Sequence, residues 1–232
     1  MKVFKYLSLA ACLSLIACSK DEDPITSNVT LPDPEPVDDG FYGQPFKGMP
    51  TDVNDLVLYE VNIRAFSADG DLDGLTAQLE SIQKMGVNVV WLMPIYPVGQ
   101  VNSINSPYCV RDYTGVASEY GSLEDLRELV DAAHQRGMSV ILDYVANHTA
   151  WDHPWITEHP DWYTQDGNGN IVIPPGTNWQ DVADLNFEVD SMQLAQIESL
   201  KYWIREANID GFRCDYANGV PFDFWQRAID SL

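Results

Sequence analysis

Two short stretches of this 232-residue chain combine acid, base and cation side chains closely enough to act on a polar substrate. One runs Asp143-Tyr144-Val145-Ala146-Asn147-His148, the other Gly211-Phe212-Arg213-Cys214-Asp215. Arg213 and Asp215 stand two apart, so on a strand both side chains point to one face. A guanidinium held there favours the ionised form of a neighbouring carboxylate, which a nucleophilic acid needs. A third stretch carries Tyr108, Arg111, Asp112 and Tyr113. Carboxylates, an Arg, a His and aromatic rings together suit a sugar. Rings stack on the apolar faces of a pyranose, and carboxylates and His bond its hydroxyls. Hydrolysis of a glycosidic bond with retention needs one carboxylate as nucleophile and a second as acid/base. Plainer roles stand beside these. An Arg-x-Asp pair is often only an ion pair, and a lone His is often structural. Trp151, Trp155, Trp162 and Trp179 more readily pack a loop than form a sugar platform.

The elements that must position these residues follow from periodicity. Leu56 to Phe66, Val87 to Ile95, Ser139 to Ala146 and Ile209 to Tyr216 read as strands, several as near-continuous apolar runs that fit burial on both faces. Leu75 to Met85, with Leu75, Leu79, Ile82 and Met85 at helical spacing, reads as a helix closed by Gly86. Ser122 and Asp125 form a capping box before Leu126, Leu129, Val130 and Ala133, and Gly137 closes that helix. Val189 to Ala207 and Phe222 to Leu232 are further helices. The order βαβαβαβα points to a parallel sheet with helices outside. Four such units are half of an eight-stranded (β/α) barrel, whose active sites lie at the C-terminal strand ends. There the candidate residues fall. An open doubly wound sheet is the competing architecture. It would carry a Gly-rich phosphate loop after its first strand, and residues 65–74 offer only scattered Gly.

Lys plus Arg number 13 against 35 Asp plus Glu, a net charge of -22. Such a surface excludes nucleic acid as a partner. Lys2 and Lys5 precede the short apolar run Leu7 to Ala17, which reads as a signal peptide over residues 1–17. Ala17-Cys18 resembles the bacterial lipobox, making Cys18 the lipidated first residue of the mature chain. The following Ser19-Lys20-Asp21-Glu22-Asp23 is similar to the surface-export tag of Bacteroidetes-type lipoproteins. Residues 18–50 read as an acidic, Pro-rich tether. Residues 51–232 read as the folded domain, with an insertion over 149–182. The expected location is the outer membrane, facing the cell surface. Cys109 and Cys214 are too few for a disulfide framework, and a single bridge between them stays open. Cys214, between Arg213 and Asp215, is expected to face a helix.

Asp143-x-x-x-Asn147-His148 and Gly211-Phe212-Arg213-x-Asp215 resemble two signature regions of the α-amylase family of glycoside hydrolases, in the family's order. Leu58-Tyr59-Glu60-Val61, Trp91-Leu92-Met93-Pro94-Ile95, Tyr108 with Val110-Arg111-Asp112-Tyr113, and Ala183-Asp184-Leu185-Asn186 add to the likeness, which covers about residues 50 to 232. The resemblance implies a TIM barrel of the α-amylase type, with the first four βα units present and an insertion after the third strand. It implies a retaining hydrolase of α-glucans such as starch or maltodextrin. Asp215 would be the nucleophile, with Arg213 bonded to it. His148 and Asp143 would bond the sugar being cleaved, and Tyr108 would stack on it. Asn147 and Asp184 would ligate a structural Ca²⁺, with turn capping as their alternative role.

Three departures follow. The family's acid/base Glu comes on a later strand, and only Asp223 and Asp230 follow Asp215, so the chain looks truncated before it and inactive alone. Tyr216-Ala217-Asn218-Gly219 replaces the Lys-His that many α-amylases carry after the nucleophile. Cys109 follows Tyr108 where the family often has Asp or Trp. A non-catalytic glycan-binding surface lipoprotein, or a vestigial fragment, is the alternative function.

Overall fold

A computed structural model describes residues 42–44 and 46–232. The signal peptide, Cys18 and most of the tether lie outside the described residues. Strands β1 (Leu58–Val61), β2 (Val89–Leu92), β3 (Ser139–Tyr144) and β6 (Gly211–Cys214) form one sheet in that order, and every neighbouring pair is parallel. Between β1 and β2 the chain makes helices α1 (Ile63–Phe66), α2 (Leu72–Thr76) and α3 (Leu79–Gln83). Helix α4 (Leu123–His134) links β2 to β3, α6 (Asp190–Ala207) leads into β6, and α7 (Phe222–Ser231) follows it. This is the succession of four βα units expected from the periodicity.

One face of the sheet packs on the helices. Val61, Val90, Leu92, Val140, Leu142 and Tyr144 join Leu126, Leu129, Leu200 and Trp203 in the main core. Alternation along each strand sends their neighbours to the opposite face. There Glu60, Trp91 and Ile141 lie in one row across β1, β2 and β3. Asp143 and Arg213 are direct partners one step further along β3 and β6. Burial on both faces holds for β3, where every residue is buried, but not for β1 and β6 at the two ends of the strand order.

The differences from the sequence reading are local. Strand pairing stops before the apolar runs do. Ile95, Tyr96, Val145 and Ala146 are buried as loop, because they pack into the main core with the helices instead of being covered by ladder pairing. Ile63–Phe66 turns helical instead of extending β1. The helix expected over 75–85 begins earlier, at Leu72 capped by Asp71, and is broken at Gln78 into two short pieces. Gly86 and Gly137 both adopt left-handed φ values, 85° and 74°, as helix stops. The capping box forms as read: the Ser122 amide donates to Asp125 Oδ2 at 2.7 Å and the Asp125 amide to Ser122 Oγ at 3.3 Å.

The segment read as period-free has its own small frame. Strands β4 (His148–Ala150) and β5 (Val182–Asp184) pair antiparallel, with His148 opposite Asp184. The short helix α5 (Trp155–Glu158) lies between them in sequence. Trp162, Tyr163, Ala183, Leu185 and Met192 form a second core beneath it.

Candidate active site

The ends of β3 and β6 converge on Arg213. Its Nη1 donates to both carboxylate oxygens of Asp143, each at 3.0 Å, and to Asp215 Oδ1 at 2.8 Å. Its guanidinium also sits 4.9 Å over the Trp91 ring, a cation–π contact. The Trp91 Nε1 is buried and has no hydrogen-bond partner among the described residues. Asp143 is fully buried, whereas the Asp215 side chain stays 21% exposed. The two acids therefore share a cation but differ in access, and only Asp215 is open to a substrate.

Burial pushes Asp143 up to about 6, helped by the nearby negative charge of Asp215 and opposed by the bonds from Arg213 and Tyr108. The Tyr108 hydroxyl donates to Asp143 Oδ2 at 3.2 Å. Burial and Asp143 together drive that phenol well above its ordinary range, so it remains a donor. His148 Nε2 lies 3.2 Å from the Tyr108 carbonyl and Nδ1 lies 3.4 Å from Asn147 Nδ2. A carbonyl only accepts and an amide nitrogen only donates, so the proton sits on Nε2. Burial holds His148 below its usual pKa, in the neutral form. Tyr108, Asp143, His148, Arg213 and Asp215 thus form one connected rim.

Sequence reasoning overlooked the scaffold behind the rim. The Tyr113 hydroxyl lies 2.8 Å from the carbonyls of Val145, just past the end of β3, and of His148. Trp203 Nε1 from α6 donates to the Tyr113 carbonyl at 2.7 Å. Tyr144 hydrogen-bonds Gln196 on the same helix. Tyr96 donates to the Asp143 carbonyl at 3.1 Å. The Asp-Tyr dipeptide at 112–113 was the available signal for Tyr113. Nothing in the spacing marks Gln196.

Asn147 and Asp184 come onto neighbouring backbones: the Leu185 amide donates to the Asn147 carbonyl at 3.2 Å. Asp184 is buried, and burial raises its pKa. It has no ion-pair partner among the described residues. Carboxylate and amide oxygens suit a hard cation, though two donors fall short of the roughly six to eight that calcium takes. Among the described residues, no three or more His, Cys, Asp and Glu gather as a ligand set.

The tryptophans divide. Trp155 and Trp162 pack edge to face at 5.0 Å inside the insertion, and Trp151 donates to the Gln180 carbonyl at 2.9 Å. Trp179 instead touches His148. Cys109 and Cys214 are both free. Cys109 is buried against the Asp181 carbonyl, and Cys214 is half-buried on the helix-facing side.

A parallel (β/α) sheet with a carboxylate–guanidinium–carboxylate cluster and aromatic rings at its C-terminal edge is the frame of a barrel enzyme. The sequence pattern of the family described as "Alpha amylase, catalytic domain" matches residues 41–181. The chain belongs to the α-amylase family of glycoside hydrolases. It is 31% identical over 192 residues to Alpha-amylase MalA of Haloarcula japonica, covering 78% of this chain and 28% of that protein. It is 34% identical over 222 residues to Trehalose synthase/amylase TreS of Mycobacterium tuberculosis, covering 78% of this chain and 35% of that protein. Among solved structures, an alpha-amylase from Lactobacillus plantarum superposes with a TM-score of 0.71 at 42% identity, over 75% of this chain and 41% of that one. The chain thus spans about a third of the length of these two curated relatives.

Asp143 provides a direct check on the cluster. Its proton binds more tightly in the folded state than in the unfolded chain. The stability it contributes is full below the ordinary value of 3.8 and is lost as pH rises through about 6. Carbon-detected NMR of the labelled carboxyl should show a midpoint near 6, moving higher in Arg213→Gln as the cation is removed. A midpoint at or below about 4, the ordinary carboxylate value, would refute the arrangement.

Proposed function

We propose that this chain provides the nucleophile side of a retaining glycoside hydrolase acting on α-linked glucans. The observation that carries this is Arg213 bonded to both Asp143 and Asp215 while only Asp215 remains accessible. Tyr108 offers a ring for the pyranose to stack on, and His148 bonds its hydroxyls. The Asp215 carboxylate attacks the anomeric carbon, the bond to the leaving oxygen breaks, and a glycosyl ester forms. Water then cleaves that ester. Arg213 holds the Asp215 carboxylate in place through its hydrogen bond without being consumed. Asp143 is enclosed, with both oxygens engaged, so it orients Arg213 and takes no part as the acid that protonates the leaving group. Asn147 and Asp184 would hold a structural calcium ion, whose part would be to tie the base of the insertion to the end of β3. The sequence around Cys18 supports a lipid-anchored protein at the outer membrane.

Three measurements test this reading. A 5-fluoroglycosyl fluoride carries its own good leaving group and needs no general acid. Incubated with the full chain, it should leave one hexosyl adduct on the peptide containing Asp215, seen by mass spectrometry, and none in Asp215→Asn. Labelling of a different residue, or none in the wild type, counts against the nucleophile assignment. Calcium should raise the thermal midpoint after chelator treatment by a few degrees, with Asp184→Ala losing that response. An unchanged midpoint rejects the calcium role. Expression with radiolabelled palmitate should label the protein but not Cys18→Ser, and equal labelling of both would sink the anchor.

A further inference from the structure

The hydrogen bonds that Arg213 gives to Asp143 and Asp215 all leave from one nitrogen, Nη1. Its Nε and Nη2 have no hydrogen-bond partner among the described residues. Bonds at a single atom fix a point and leave the guanidinium free to pivot about it. The side chain is 36% exposed, so water competes for the two unpaired nitrogens. Hydrogen bonding alone therefore leaves the plane of the group unset. The contact that can set it is the Trp91 ring, whose centroid lies 4.9 Å from the guanidinium carbon.

The two residues are not strand neighbours. Trp91 is on β2 and Arg213 on β6, with β3 between them. Trp91 pairs with Ile141, and Ile141 pairs with Gly211, two residues before Arg213. The Arg213 side chain therefore reaches back across β3, over two strand spacings of about 5 Å each, to meet the ring. A guanidinium is planar and weakly hydrated, so it stacks on an aromatic face where an ammonium would be drawn to water. Indole offers the best such face among the side chains. Trp91 also carries a penalty. Its Nε1 is buried without a partner, and an unpaired buried N–H destabilises a fold. A purely apolar side chain would cover the sheet without that penalty. Local rules of this kind are broken where a site needs the residue.

We propose that Trp91 is a positioning residue for the nucleophile, its ring holding the Arg213 guanidinium in the plane from which Nη1 reaches Asp215. It acts through Arg213 and takes no part in making or breaking bonds. Asp143 sets where the cation sits, and Trp91 sets how it lies. The proposal rests on the reading of Asp215 as the nucleophile.

The test compares the full chain with Trp91→Leu and Trp91→Phe by two readouts. The first is a double-mutant cycle on the Asp143 midpoint, followed by carbon-detected NMR. Arg213→Gln should raise that midpoint less than about half as much in Trp91→Leu as in wild type, because the cation is no longer held against the acid. In Trp91→Phe, which restores a ring, the full effect should return. An equal effect in all three backgrounds overturns the proposal. The second readout is the rate at which a 5-fluoroglycosyl fluoride forms its adduct on Asp215. At saturation it should fall roughly tenfold in Trp91→Leu, the order that a desolvated cation–π contact accounts for. The half-saturating concentration should stay within about twofold, and Trp91→Phe should keep the rate within about threefold of wild type. A loss confined to the half-saturating concentration would make Trp91 a binding residue and overturn the proposal. Absence of any adduct in wild type, with the NMR cycle as expected, rejects the nucleophile reading and leaves Trp91 as the residue that orients Arg213. Should Trp91→Leu fail to fold, a phenylalanine trifluorinated on its ring, placed at position 91, decides. It keeps the shape of a ring and loses the negative face, so it should show both losses. Behaviour equal to that of Trp91→Phe overturns the proposal.

Discussion

Everything at the open end of this sheet depends on one guanidinium. Asp143 has no access to water, and a buried carboxylate is tolerable only with a partner and satisfied hydrogen bonds. Arg213 provides both, and the Tyr108 hydroxyl takes a further lone pair. The arrangement exists because β3 and β6 pair with Asp143 directly opposite Arg213. A slip of one residue would send Arg213 to the helix side of the sheet and leave Asp143 uncompensated. The strand register and the chemistry of the site are therefore the same constraint. Asp215 inherits its place from it, two residues beyond Arg213 on the same face.

A second layer keeps that constraint rigid. Where a strand ends, its carbonyls lose their ladder partners and must be satisfied elsewhere. At the end of β3 the donor is the Tyr113 hydroxyl, held in turn by Trp203 from α6. Tyr144 reaches the same helix through Gln196. Tyr96, Tyr113, Tyr144 and Trp203 pack against one another in edge and tilted contacts, which suit aromatic rings. The helix layer thus supports the turn that presents His148 as well as covering the sheet.

Membership of the α-amylase family accounts for the order of strands and helices. It does not account for the departures. The stretch that begins at Tyr216 is one departure, and there the backbone turns left-handed and the Tyr216 ring meets Trp179. Cys109, another departure, has an ordinary explanation. It is a buried thiol bonded to the Asp181 carbonyl, and burial pushes it up to about 12, far from a reactive thiolate.

The order of strands and helices was legible in the sequence because apolar periodicity and local stops such as Ser122, Gly86 and Gly137 act over a few residues. Arg213 and Asp215 were legible as a pair for the same reason: two residues along a strand is a local relation. The motif Asp143 to His148 could be recognised, but not that Asp143 would be enclosed while Asp215 stayed open. That difference arises from which strands are neighbours. The lengths of β1 and β2 were overestimated, since a buried loop such as Ile95-Tyr96 is as apolar as a strand. The grouping of Trp179, His148 and Tyr216 joins three positions far apart in sequence, and no periodicity links them. Residue types and local spacing determined the class of fold and the kind of chemistry. Only the tertiary structure decided which acid is exposed, which hydroxyl holds the strand end, and which tryptophan reaches the site, because each is settled by contacts between distant parts of the chain.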